Sequence, residues 1–133
     1  MNAGLFEGRE RELIYILVAQ RAARALGELQ LQANKLTLEE AAKFASVNTP
    51  RGWLRLEGQT VWFEQQLYMS QPGYGTSYLT GKLLFDQLIA ARRDSQGEGF
   101  AMKKLFDDLN GAGLVPASLL LWELGGVLPA FAK

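Results

Sequence analysis

The sequence contains neither cysteine nor histidine among its 133 residues. The absence of cysteine excludes a disulfide framework, cysteine-ligated zinc, an iron–sulfur cluster and a thiol nucleophile. The absence of histidine excludes a Ser-His-Asp triad and an HExxH zinc site within this stretch. A metal site built from carboxylates alone remains compatible with the composition.

An excess of charge and a long hydrophobic run are also absent. The 14 Lys and Arg residues balance the 14 Asp and Glu residues, whereas general nucleic-acid binders usually carry a basic excess. No apolar run approaches the ~20 residues of a membrane span, and the first residues lack the basic start and apolar middle of a signal peptide. We therefore expect no nucleic-acid partner and no membrane span. The compartment stays open, with the cytoplasm as the default.

The remaining composition is that of one folded domain over residues 1–133. Hydrophobic residues make up 48% of the chain, and a chain of this mass can bury roughly two-thirds of its surface. Segments between the turn signals are rich in helix formers and carry apolar residues at helical spacing, and no alternating strand pattern of convincing length is present. The sequence predicts an all-α single domain of about six helices. These are expected at residues 10–33, 37–46, 53–68, 76–93, 100–109 and 116–125, and the third is either interrupted or begun at Gly58.

Three local features receive structural interpretations. Thr37 and Glu40 have the spacing of a capping box at the start of the second helix. The acidic pair at residues 107–108 lies on adjacent helical positions, which do not face each other. Aromatic residues at helical spacing are usually core, so we assign no ligand role to Trp53, Trp62 and Trp122.

A polar stripe on the first helix is one candidate site. Its members recur at spacings that place them on one helical face; they are Arg21, Arg24, Glu28 and Gln32. The stripe lies on the same side of the helix as Ile14 and Leu17. This arrangement predicts a helical face whose apolar end is buried in the core and whose polar end is solvated or lines a site. It is either a charged wall that orients a substrate carboxylate or carbonyl, or a solvated face with weak Arg–Glu pairs. The residues alone favour the solvated face.

A glycine-rich loop that leads into the fourth helix is the second candidate site. Tyr74 and Tyr78 are neighbours on one face if the helix begins early enough, and a phenol can donate a hydrogen bond to a developing oxyanion. A phenol cannot replace a metal or a base. The alternative is a glycine-rich helix entry with two packing aromatics, and the residues alone favour that alternative.

Several segments together resemble one protein family. Pro72-Gly73, Ser77-Tyr78 and Gly81-Lys82 match a PG-x-x-x-SY-x-x-GK segment. This segment belongs to a large bacterial family of long uncharacterised proteins, which is similar to the HExxH zinc metallopeptidases and related in fold to thimet oligopeptidase and the thermostable carboxypeptidases. Further matches follow the family's order, and together they cover nearly the whole chain. They lie at Ala3–Gly8, at Arg21–Arg24 with Glu28, at Phe100–Asp107 and at Gly113–Glu123.

The resemblance implies that the chain is the C-terminal helical subdomain of such a protein and is inactive alone. The zinc, its HExxH helix and a third glutamate ligand would belong to an upstream half, which is the expected partner beside a peptide substrate. Tyr78 is the first candidate for binding the substrate carbonyl in the transition state, and Tyr74 is the second. The other residues that the resemblance places at the substrate are Gly73, Gly75, Arg24, Glu28 and Gln32.

The chain also departs from the family pattern. Glu28 stands where the family has Asp, and Gln32 and Phe106 stand where it commonly has His. These replacements put a proton-shuttling role at those positions in doubt. A rival interpretation is a stand-alone helical interaction module that associates with a second copy through a large exposed apolar patch. An independent enzyme is the least favoured interpretation, because the sequence shows no base beside a nucleophile.

Overall fold

The computed structural model describes residues 8–128, and within this part of the chain helices are the only regular secondary structure, without strands. The prediction of an all-α fold with six helices is confirmed. The α-helices are α1 Glu10–Gln32, α2 Leu38–Val47, α3 Gln59–Ser70, α4 Tyr74–Gln96, α5 Met102–Ala112 and α6 Ala117–Gly125. Residues 3–7 of the Ala3–Gly8 motif lie outside the described residues.

The helices form two compact units, with the division between Leu79 and Thr80. In unit 1, α1, α2 and α3 pack around small side chains, and Ala41, Ala42 and Ala45 of α2 are fully buried. A Cβ added at Gly27 of α1 would lie 3.2 Å from the carbonyl oxygen of Ala41. Small residues on both helices therefore allow their backbones to approach closely.

The predicted capping box is present at the start of α2. The Thr37 hydroxyl accepts a hydrogen bond from the Glu40 amide at 3.2 Å, and the Thr37 amide donates to the Glu40 carboxylate at 2.8 Å. The first helix ends one residue before its predicted end, and Asn34 adopts a left-handed φ of +55° just beyond it.

The third helix begins at the later of its two predicted starts, with Gly58 as the N-cap residue. Pro50–Gly52 forms a 3-10 turn in which Arg51 has a φ of +57°, and α3 starts only at Gln59. The Trp62 indole donates to the Leu56 carbonyl at 2.7 Å, which ties the intervening loop to α3. Trp53 lies on this loop and is exposed, so its assignment to the core is wrong.

The burial of α1 is also the reverse of the expectation. Leu13, Ile14 and Leu17 are 59%, 38% and 56% exposed, whereas Arg24 and Glu28 are 6% and 1% exposed. The half of α1 that contains Ala23, Ala25 and Leu31 is the buried half. The middle of the polar stripe, Arg24 and Glu28, therefore lies in the interior of unit 1, whereas the apolar end faces solvent.

Unit 2 contains α5, α6 and the part of α4 from Thr80. Its core is aliphatic and consists of Leu88, Ile89, Leu105, Leu120 and Leu121. Trp122 on α6 is exposed, contrary to the core assignment. No helix within residues 8–128 combines the length and apolar character that crossing a bilayer requires.

Candidate functional site

The polar stripe of α1 is packed against α3 and the start of α4. Arg24 forms an ion pair with Glu64 of α3 at 2.5 Å, and both Arg24 and Glu28 are buried. The interpretation of this stripe as a solvated face is therefore wrong at these two residues. The i, i+4 pair of Arg24 with Glu28 is replaced by contacts with other helices.

Glu28 caps the N-terminus of α4 from a different helix. Its Oε1 accepts hydrogen bonds from the amides of Gly73 at 2.8 Å and Gly75 at 3.3 Å, and its Oε2 accepts from the Thr76 amide at 2.7 Å. The first amides of a helix lack partners within the helix, and a carboxylate there also complements the helix dipole. This cap explains why α4 begins at Tyr74 rather than at Thr76.

Gln32 makes the complementary contact at the end of α3. Its Nε2 donates to the backbone carbonyls of Tyr68 at 2.8 Å and Met69 at 3.5 Å, and the last carbonyls of a helix also lack partners within the helix. Glu28 and Gln32 are one turn apart on α1. One face of α1 therefore holds both ends of the turn between α3 and α4.

Two positions of the sequence motif require glycine, each for a different structural reason. Gly73 has a φ of +86°, a conformation that residues with a Cβ rarely adopt. At Gly75 an added Cβ would lie 2.9 Å from Oε2 of Glu28 and 2.9 Å from the Tyr68 ring. Gly75 therefore permits the close approach of α4 to Glu28.

Tyr74 and Tyr78 form a phenol pair on the first turns of α4. Their hydroxyl oxygens are hydrogen-bonded at 3.2 Å, and their rings meet edge to face with centroids 5.7 Å apart. The guanidinium of Arg21 lies 4.0 Å from the centroid of the Tyr78 ring. Both phenols and one cation are thus brought together at the surface of unit 1.

The hydrogen bond between the phenols shifts their two pKa values in opposite directions. It lowers the pKa of Tyr78 below the ordinary 10.0, and the Arg21 guanidinium acts in the same direction because it stabilises the phenolate. The same hydrogen bond raises the pKa of Tyr74. A phenol of lower pKa is the stronger hydrogen-bond donor, which suits Tyr78 to an oxygen that gains negative charge.

The phenol pair opens on a cavity of about 540 Å³. Arg21 and the two tyrosines line one part of it, and residues of α3 line the rest. The α3 residues are Gln59, Thr60, Phe63, Glu64, Leu67 and Tyr68. The cavity therefore combines hydroxyl and guanidinium donors, a carboxylate and an apolar wall.

Tyr68 connects this cavity to the buried part of unit 1. Its ring lies 6.1 Å from the Tyr74 ring, and burial raises the pKa of its phenol. Tyr68 is therefore a neutral hydroxyl in the wall of the cavity at ordinary pH.

The structure separates the residues predicted for the site into two groups. Tyr74 and Tyr78 line the cavity, whereas the others hold the turn or pack beside it. The second group is Gly73, Gly75, Glu28, Gln32 and Arg24. Arg24 lines a different cavity of about 290 Å³ together with Gln20 and Trp53. Direct contact of this second group with a substrate stays a prediction.

Seven of the nine residues that line the cavity are not among the site residues that the resemblance implies, and they include Arg21, Glu64 and Tyr68. Arg21 belongs to the polar stripe, but the resemblance pointed to Arg24 one turn further on. Glu64 and Tyr68 are an i, i+4 pair on α3 and share one helical face. This i, i+4 pair of polar side chains is the sequence signal that could have identified Glu64 and Tyr68 as site residues.

Among the residues that the structure describes, no set of zinc ligands is brought together. Zinc prefers His and Cys ligands, and the sequence has neither. Within residues 8–128, no three carboxylates stand close enough together to hold a metal ion.

Comparison with protein-family models, with curated proteins and with solved structures finds no match for this chain.

Proposed function

We propose that unit 1 is the substrate-binding part of a zinc-metallopeptidase-like protein, in which Tyr78 donates a hydrogen bond to the substrate carbonyl oxygen as it becomes an oxyanion. The observation that carries the proposal is the Tyr74–Tyr78 pair, which opens on the cavity with Arg21 beside it. The ordered sequence motifs support the same assignment. An HExxH-bearing segment outside these 133 residues would supply the zinc and the general base.

Each group in the cavity has a chemical role in this proposal. Tyr78 has the lowered pKa and is the stronger donor. When its proton turns from Tyr74 to the substrate, the Tyr74 hydroxyl donates to the Tyr78 oxygen in return. Arg21 adds a positive charge close to the position of the developing oxyanion. Phe63 and Leu67 provide an apolar surface for a substrate side chain.

A phosphinic tripeptide, in which a tetrahedral phosphinate replaces one peptide group, tests the proposal on the chain alone. We expect it to shift the NMR signals of the Tyr74 and Tyr78 rings, and we expect Tyr78→Phe to weaken binding about tenfold, the value of one charge-assisted hydrogen bond. Tyr15→Phe is the matched control, because Tyr15 is 74% exposed on α1 and does not line the cavity. Equal affinities of Tyr78→Phe and the unmodified chain would contradict the proposal.

Peptide hydrolysis provides the second test. The chain is expected to be inactive alone and to support zinc-dependent cleavage of short peptides only when an HExxH-bearing segment is added. Zinc-dependent hydrolysis by the isolated chain would contradict the proposal that a separate segment supplies the zinc and the general base.

A second candidate function is a non-catalytic interaction module that associates with another copy of itself. The exposed apolar residues of α1 favour it: Leu13 and Leu17 are one turn apart, with Ile14 beside them. Light scattering over a concentration series tests this candidate, with Leu17→Lys as the variant that should reduce association. A chain that stays monomeric at every concentration would exclude it.

A further inference from the structure

We infer that Glu28 is a positioning residue for the Tyr74–Tyr78 pair: its buried carboxylate fixes the first turn of α4 and thereby sets where the two phenols stand. The inference rests on the proposed function, because the phenols are the groups that act on the substrate. It gives Glu28 a different role from the direct substrate contact that the sequence resemblance implies.

The contacts of Glu28 surround the first tyrosine. The carboxylate binds the amides of Gly73, Gly75 and Thr76, so the residues on both sides of Tyr74 are anchored to α1. Tyr78 follows one turn later on the same helix. A displacement of the first turn therefore moves Tyr74 relative to Tyr78, and both rings relative to Arg21 of α1.

The position of Glu28 explains why it acts indirectly. Its side chain is 1% exposed and does not line the cavity. Both carboxylate oxygens are occupied by backbone amides. A substrate contact would require Glu28 to release the N-terminus of α4, which would break the hydrogen bonds from these amides to its carboxylate.

The packing around Gly75 leaves little freedom for this turn. The site of a Cβ at Gly75 lies 2.9 Å from the Glu28 carboxylate and 2.9 Å from the Tyr68 ring. The turn is thus held between a charged group and an aromatic wall. The separations of 3.2 Å between the phenols and 4.0 Å between Arg21 and the Tyr78 ring depend on that placement.

The pKa of Tyr78 reports on the placement of the two phenols. The direction in which this pKa changes distinguishes a positioning role of Glu28 from the effect of its negative charge alone. The hydrogen bond between the two phenols and the nearby Arg21 lower the pKa of Tyr78, so separating Tyr78 from Tyr74 and Arg21 should raise that pKa toward 10.0. Removing the negative charge of Glu28 would by itself make a phenolate easier to form and lower the pKa. The two causes therefore have opposite signs.

The experiment is an NMR pH titration of the full chain with 13C-labelled tyrosine ring carbons. Tyr78→Phe assigns the Tyr78 signal. Glu28→Gln is expected to raise the pKa of Tyr78, while Glu28→Asp, which keeps the charge but shortens the side chain, is expected to give a smaller rise. The matched control is Glu39→Gln, which removes an exposed carboxylate of α2 and should leave the titration of Tyr78 unchanged.

An unchanged or lowered pKa of Tyr78 in folded Glu28→Gln would overturn the inference. Circular dichroism establishes that each variant is helical, and if Glu28→Gln does not fold, Glu28→Asp decides the question by the same measurement. No peptide or metal is present in the titration. The positioning role can therefore fail while the phosphinic tripeptide still binds, and it can hold while the tripeptide does not bind.

Discussion

The two units of this chain have interiors of different chemistry. Buried positions of unit 1 include Arg24, Glu28 and Gln65 among small residues, whereas unit 2 has a core of Leu and Ile. An apolar core depends on area and packing, but a buried polar group contributes only when its partners are in place. The candidate site is built on the polar interior, where single hydrogen bonds determine geometry.

The largest expected effect is in the apolar unit. Leu105 is fully buried in unit 2, and Leu105→Ala should lower the free energy of unfolding by about 3 kcal/mol, because it removes apolar contacts and leaves a cavity. Urea unfolding followed by amide hydrogen exchange measures the loss, which we expect first among amides of unit 2. Phe106→Ala on the same helix is the control: its half-exposed ring should cost less, and an equal cost would contradict the assignment of this core.

The corresponding change in the polar unit is Glu28→Gln. It nearly preserves the shape of the side chain, but the new amide group cannot accept hydrogen bonds on both sides. We expect a loss of about 2 kcal/mol, since a hydrogen bond to a charged group is worth about 1.5–3 kcal/mol. The measurement is urea unfolding together with exchange rates of the Gly75 and Thr76 amides. Unchanged protection of these amides would show that Glu28 does not cap α4.

The sequence predicted unit 2 better than unit 1, for a physical reason. Apolar residues at helical spacing predict a buried face directly, and Leu88, Leu105 and Leu120 are buried. Polar residues at helical spacing do not reveal their partners, because the partner is distant along the chain. Glu28 contacts amides 45 to 48 residues away.

The candidate site was predicted in part for the same reason. The spacing of Tyr74 and Tyr78 placed them together, because an i, i+4 relation is local. The contact of Arg21 with Tyr78 depends on how α1 meets α4, which no local pattern encodes. The reversed burial along α1 is a further case, since Leu13 and Leu17 have the spacing of a core face and are nevertheless exposed.

A pair of glycines on one helix tests how closely the polar interior is packed. Gly75→Ala should destabilise by about 1–2 kcal/mol, because its Cβ meets Glu28 and Tyr68 and such overpacking outweighs the better helix propensity of Ala. Gly81→Ala has nothing within 4 Å of its Cβ and should stabilise by about 0.5–1 kcal/mol. Thermal unfolding compares the two variants. The same sign for both would contradict the close approach at Gly75.

The smallest expected effect is at the exposed capping box of α2, formed by Thr37 and Glu40. Hydrogen-bonding groups that lose a partner at the surface can bind water instead. The hydrogen bonds from Thr37 hold the pKa of Glu40 below its ordinary 4.5. A depressed pKa means that the ionised form is favoured in the folded chain, so this contribution is present above about pH 4.5 and is lost as the pH falls through the folded value. Thr37→Ala should cost about 1 kcal/mol at neutral pH and less in acid, measured by urea unfolding at both pH values. A cost that stays constant into acid would show that the hydrogen bond from the Thr37 hydroxyl to the Glu40 carboxylate adds nothing to the cap. A cost equal to that of Glu28→Gln would remove the distinction between buried and exposed polar contacts.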